Sequence, residues 1–149
     1  MMGAAVGQQD RLFYEFDLED MVPGDHLLRR IDAALELSWL RAELKPHYSH
    51  LGCPSVCPEL MVRMLLVGYC YSIRSERQLM EQLDFNLLYR WFVGLGIDDG
   101  VWDASTFCKN RDRLLEAEIA AKFLSGIIAH KRVARLLSRD HFSVDGTLI

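Results

Sequence analysis

The sequence contains no apolar run of about 18 residues, the length a helix needs to cross a bilayer, so a transmembrane helix is not expected. Its most apolar stretch, Met61 to Tyr71, is interrupted by Arg63 and is too short to span. The start, MMGAAVGQQDR, lacks the basic region and apolar core of a secretory signal. It reads as a flexible tail over residues 1–10, and the cytoplasm is the default location. A Gly-rich phosphate loop is missing, and His26 and His130 have no partners at triad spacing, so neither a phosphate cradle nor nucleophilic catalysis has support. Internal repeats and low-complexity tracts are also missing. A basic excess is lacking too: 17 Lys+Arg stand against 21 Asp+Glu, a net charge of −4, which argues against a generic nucleic-acid binder.

Cysteine is scarce. The four present, Cys53, Cys57, Cys70 and Cys108, are expected as reduced thiols in a cytosolic chain. The cluster His47, His50, Cys53 and Cys57 has the imidazole and thiolate chemistry that zinc prefers. Loop residues beside a helix start are the plainer reading.

What is present is one domain's worth of chain, 149 residues of which 50% are hydrophobic, enough for a sizeable core. Proline and glycine punctuate it into helices. Asp25 is a plausible N-cap for a helix running to Pro46, with Leu27, Leu28, Ile31, Ala34, Leu35 and Ser38 on one face. Pro58 suits the first turn of a second, nearly all-apolar helix to about Ile73, which should be central. Ser75 to Gln78 has the form of a capping box, and Asn86 can cap LLYRWFVGL, which Gly94 and Gly96 end. Asp98-Asp99-Gly100 is a turn. Ser105 then begins a helix whose apolar stripe continues to about Leu137.

Charge is unevenly distributed. Residues 1–104 carry nine basic and sixteen acidic side chains, whereas residues 105–149 carry eight and five, so the net +3 lies in the carboxyl-terminal part. Three short helices, at about 75–84, 86–93 and 105–115, are compatible with a helix-turn-helix-like unit whose third helix enters the major groove. That helix carries Lys109, Asn110, Arg111 and Arg113 near its start, where the backbone favours phosphate, Asn can read adenine and Arg can read guanine. Arg74, Glu76 and Arg77 could form a phosphate clamp, although an ion pair at i, i+3 or i+4 spacing near a helix start is the commoner arrangement. A solvated helical face is the bland alternative for the whole cluster. Trp39, Trp91 and Trp102 are expected to be packing anchors.

The carboxyl-terminal segment is different in kind. Phe142 to Val144 reads as a strand that delivers Asp145 and then Gly146 and Thr147. An isolated strand is not stable in water, so this one is expected to open a sheet. The segments GY-x-Y-x-IRSER at Gly68 to Arg77, NLLYRWFVGL at Asn86 to Leu95 and STF-x-KNR at Ser105 to Arg111 fit one pattern, together with VPGDHLLRRID at Val22 to Asp32, the Pro58 to Met61 helix start and FSVDGTLI at Phe142 to Ile149. In this order they closely resemble the amino-terminal region of InsH-like insertion-sequence transposases, the IS-five type of DDE transposase, over roughly residues 10 to 149.

The resemblance implies a mainly α, compact multi-helix domain over residues 11–138, followed at 139–149 by a stub of the first strand of an RNase H-like catalytic domain. It implies that Asp145 is the first catalytic carboxylate and a Mg²⁺ ligand. DDE chemistry uses two metals held by three carboxylates, so the chain is expected to be a truncated transposase that cannot cut DNA alone and holds no cofactor tightly. Its expected work is DNA binding at transposon terminal inverted repeats, self-association, or pairing with full-length transposase, with no membrane involved. The alternative is an inert remnant of a degenerate element.

Overall fold

In the computed structural model, the described residues are 16–48, 55–116 and 119–129. Among them lie eight α-helices and one 3-10 turn, with no strand: α1 (Leu18–Met21), α2 (Leu27–Asp32), α3 (Leu40–Leu44), the turn Lys45–His47, α4 (Pro58–Cys70), α5 (Glu76–Phe85), α6 (Leu87–Val93), α7 (Ala104–Glu116) and α8 (Ile119–Ala129). The mainly helical expectation is met. The tail at 1–10 and the strand at 142–144 lie outside the described residues.

α4 is the hub, as its all-round apolarity implies. Met61, Met64 and Val67 are fully buried, and the helix packs against α3, α6 and α7. Pro58 occupies its first turn, where a missing N–H costs nothing. Its far end closes with two bonds, Ile73 N–H to Gly68 C=O at 2.8 Å and Ser72 N–H to Tyr69 C=O at 3.2 Å. This is the double-bonded helix stop that needs a left-handed residue between, and Ser72 supplies it at φ 54°.

The segment between Asp25 and Pro46 departs from the single helix expected there. It forms α2 and α3 with a bend over 33–39, and the cap is His26, whose Nδ1 accepts from Leu28 N–H at 3.2 Å. The reason is phase. Leu28 belongs to one apolar stripe, while Leu37, Leu40 and Leu44 form another. On one continuous helix, nine residues put Leu37 about 180° from Leu28. Breaking the helix buries all four. Glu36 holds the bend, accepting from Ser38 N–H at 2.9 Å through its carboxylate and from the Trp39 indole at 3.0 Å through its carbonyl. Leu27, placed on the core face by periodicity, is exposed.

Three arginines join helices that are distant in sequence. Arg29 of α2 donates to the Glu19 carboxylate and to the Glu19 and Val22 carbonyls at 2.6 and 2.9 Å, closing the end of α1. It also lies over Trp91 of α6 at 4.8 Å, and the same indole donates to Glu19 at 2.5 Å. Arg63 of α4 pairs with Asp32 of α2 at 2.6 Å and donates to Phe92 C=O at 2.7 Å. Arg90 of α6 is the deepest, only 3% exposed. Its guanidinium donates to the carbonyls of Leu83 (3.1 Å), Gly96 (3.1 Å), Ile97 (3.1 Å) and Asp99 (2.5 Å). One side chain thereby fixes the last turn of α5 to the connection that leads into α7.

Candidate nucleic-acid interface

α5, α6 and α7 fall close to the boundaries read from sequence, and α5 packs on both of the others. Local chemistry explains the starts. Ser75 Oγ accepts from Gln78 N–H at 3.3 Å, the forward half of the capping box. Asn86 ends α5 and begins α6, its side-chain oxygen accepting from Leu88 N–H at 3.1 Å and Tyr89 N–H at 3.4 Å. Gly94, at φ 93°, ends α6 in the left-handed conformation that glycine adopts at least cost.

α7 starts one residue before Ser105, and its cap is Asp103. The Asp103 carboxylate accepts from the N–H of Ser105 and of Thr106, both at 2.9 Å, and from their hydroxyls at 2.5 and 2.6 Å. Hydrogen bonding by the Ser105 hydroxyl, then by Thr106, holds this carboxyl well below the ordinary carboxylate range. The helix start expected to attract phosphate is therefore filled by the chain's own anion. The adjoining cleft carries three carboxylates, Glu81, Asp84 and Asp103, against one cation, Arg77.

The six cationic or amide side chains singled out in the sequence separate into two groups. Phe107, Asn110 and Leu114 form the buried stripe of α7. Asn110 is 6% exposed, donates through Nδ2 to Thr106 C=O at 2.8 Å, and accepts from Arg113 at 3.5 Å. Arg111 pairs with Glu76 of α5 and with Asp112 at 2.8 Å, so Glu76 is engaged across helices rather than with its neighbours Arg74 and Arg77. Arg113 lies over the Tyr48 ring at 4.7 Å. By contrast, Arg74, Arg77 and Lys109 are exposed, and none forms an ion pair among the described residues. The Glu76–Arg111 pair brings the first turn of α5, and with it Arg74 and Arg77, to the helix that carries Lys109.

Sequence reasoning misses two residues. Arg90 sits inside the YRW motif, and nothing local marks it as the support of the loop before α7. Tyr69 is 85% exposed in the last turn of α4. Its only sequence signal is that it falls off the buried Met61, Met64, Val67 stripe. Trp39, Trp91 and Trp102 pack against the core, as expected.

Asp145 and the greater part of the His47, His50, Cys53, Cys57 cluster lie outside the described residues. Cys57 is a free thiol that donates to Glu59 at 2.8 Å and accepts from Arg41 at 3.2 Å. Among the described residues no group of three His, Cys, Asp or Glu side chains is arranged to hold a metal ion. No described helix is long and apolar enough to cross a membrane.

Neither a curated protein nor a solved structure matches the chain. A family model described as "Transposase domain (DUF772)" matches residues 16–113, from the approach to α1 to the last turn of α7. That span contains the arginine joints, the two-helix cap at Asn86 and the α5–α7 junction described above. With more than half of its residues matched, the chain belongs to the DUF772 transposase domain family.

Proposed function

We propose that this helical domain binds DNA at the terminal inverted repeats of an insertion element of the InsH-like, IS-five type, as the amino-terminal part of a DDE transposase. One observation carries the reading: Arg74 and Arg77 at the start of α5 and Lys109 on α7 are exposed, without ion-pair partners among the described residues, in a family that acts in transposition. Unpaired surface cations release counterions on meeting phosphates, whereas Arg111 and Arg113 already have partners. Arg74, Arg77 and Lys109 make the phosphate contacts. Arg111 and Arg113 fix α7, and Asn110 locks its first turns rather than meeting an adenine edge. By the same resemblance, Asp145 contributes one carboxylate to a Mg²⁺ site, and a single carboxylate cannot by itself hold a two-metal centre.

The test is a salt titration of binding to a duplex carrying the terminal repeat and to a scrambled duplex. Arg74→Ala, Arg77→Ala and Lys109→Ala should each weaken binding to both duplexes and reduce the log–log salt slope by about 0.9 for each phosphate left unneutralised. Asn110→Ala should lower thermal stability without a change of base preference. Unchanged affinity in all three cation variants removes this surface from DNA binding, and no binding by the unmodified chain favours the inert remnant.

A further inference from the structure

The exposed face of α5 changes sign along its length. Arg77, Glu81 and Asp84 stand at i, i+4 and i+7, within an arc of about 60° on one side of the helix, and all three are exposed. They line one cleft together with Trp102 and Asp103 at the approach to α7. In the first turn of α5 the one carboxylate, Glu76, is taken by Arg111, so Arg74 and Arg77 leave that end positive. Glu81 and Asp84 form no ion pair among the described residues, so the second half of the face is negative. Along the helix axis Glu81 lies about 6 Å and Asp84 about 10 Å beyond Arg77.

We propose that Glu81 and Asp84 are the edge of the DNA surface: a bound duplex covers the start of α5 and stops there, leaving the second half of the helix and the start of α7 uncovered. This rests on the DNA-binding reading and adds where the duplex ends. The cause is repulsion between like charges. A phosphate held by Arg77 has both carboxylates within roughly one Debye length, about 8–10 Å at ordinary ionic strength, so both act on it. A phosphate placed farther along this face leaves Arg77 behind and comes closer to the two acids, a juxtaposition of like charges that disfavours the placement. The start of α7 is closed to phosphate for the same reason. Asp103 fills its free N–H groups, and Glu81 and Asp84 share its cleft.

The two acids also set the strength of the grip. Phosphate contacts supply affinity for every sequence, and carboxylates at their margin subtract from it without regard to sequence. An interaction between exposed charges corresponds to a change in affinity of roughly two- to fivefold. Salt screens it, so the effect belongs to low ionic strength.

Binding of the full chain to the terminal-repeat and scrambled duplexes, followed upward from about 50 mM salt, tests the edge. Glu81→Gln and Asp84→Asn should each tighten binding to both duplexes by roughly two- to fivefold at the lowest salt, and the gain should shrink as salt rises. Asp20→Asn makes the same change of net charge at an exposed carboxylate of α1, which packs against α6, and should leave affinity as it is. The Glu81→Gln gain should persist in an Arg77→Ala background, because it comes from the phosphates and not from release of Arg77. A gain that vanishes there makes Glu81 an internal partner of Arg77 and overturns the edge. An equal gain in Asp20→Asn also overturns it, since net charge alone would then account for the effect. If Arg74→Ala weakens binding while Glu81→Gln and Asp84→Asn change nothing, the DNA-binding reading stands and the edge is wrong. If the unmodified chain binds neither duplex, that reading fails and the edge fails with it.

Discussion

Arg90→Met removes the guanidinium while retaining most of the aliphatic stem, so it isolates the polar part of the joint between α5 and the approach to α7. Four carbonyls lose the guanidinium, and of these Gly96 C=O keeps the Asp99 N–H at 3.3 Å. Leu83 C=O is buried and water cannot easily replace the guanidinium there, which costs roughly 1–3 kcal/mol. Gly96, Ile97 and Asp99 are exposed residues, so water can substitute, leaving a net loss of about 0.5–1 kcal/mol each. Together these give about 2.5–6 kcal/mol, a large part of the roughly 5–15 kcal/mol that holds an ordinary domain. Arg90→Lys should recover little, because one ammonium cannot span four carbonyls that a planar fork reaches.

The assay is urea unfolding followed by circular dichroism. The midpoint should fall for both variants with the slope unchanged, which marks lost stability rather than a changed unfolded state. Since the loop held by Arg90 delivers α7, amide exchange should also quicken over 96–103 in the native state, beyond the change elsewhere. A loss below about 1 kcal/mol for Arg90→Met, with exchange over 96–103 unaltered, would refute the reasoning, because hydrogen bonds to charged groups are ordinarily worth more than that.

Two smaller perturbations test the helix ends. Ser72 is held at positive φ, which costs a non-glycine residue roughly 1–2 kcal/mol, while glycine loses about 0.5–1 kcal/mol more entropy on folding. Ser72→Gly should therefore stabilise the domain by about 0.5–1 kcal/mol in urea unfolding, and a destabilised variant would show that the serine side chain contributes something unseen. Asp103 has its carboxyl lowered in the folded state, so its stabilisation is present above the unfolded carboxyl range and is lost as pH falls through the folded value. Asp103→Asn keeps an acceptor at the cap but cannot titrate. Its melting temperature should fall less steeply than that of the unmodified protein below the ordinary Asp range, and parallel curves would contradict the assignment.

Helix starts and stops are legible in the sequence wherever they depend on neighbours in the chain. Pro58 at a first turn, Ser75 and Asn86 as caps and Gly94 as a stop act over two to four residues, and each holds in the structure. The departures have physical causes. The helix expected from Asp25 to Pro46 has a reasonable period, but it merges two stripes about 180° out of phase, and only the position of α4 shows that both must be buried. At the α7 start, Ser105 looks like the first residue, although Asp103, two residues earlier, is the better acceptor for the free N–H groups there.

The candidate site shows the same division more sharply. The family motifs and the gathering of cations around Lys109 are visible in the sequence, because they are properties of composition and order. Which cations are available is not, because an arginine's state depends on what the fold brings to it. Arg111 meets Glu76 across 35 positions of chain, Arg113 meets Tyr48, and Arg90 collects carbonyls from the last turn of α5 and from the connection into α7. Asn110 turns inward because position 110 falls on the stripe of Phe107 and Leu114. The sequence by itself determined a helical transposase domain, its punctuation and its basic motif. The tertiary structure decided which of the motif's charges are engaged within the domain and which face solvent, since pairing and burial are set by contacts between residues far apart in the chain.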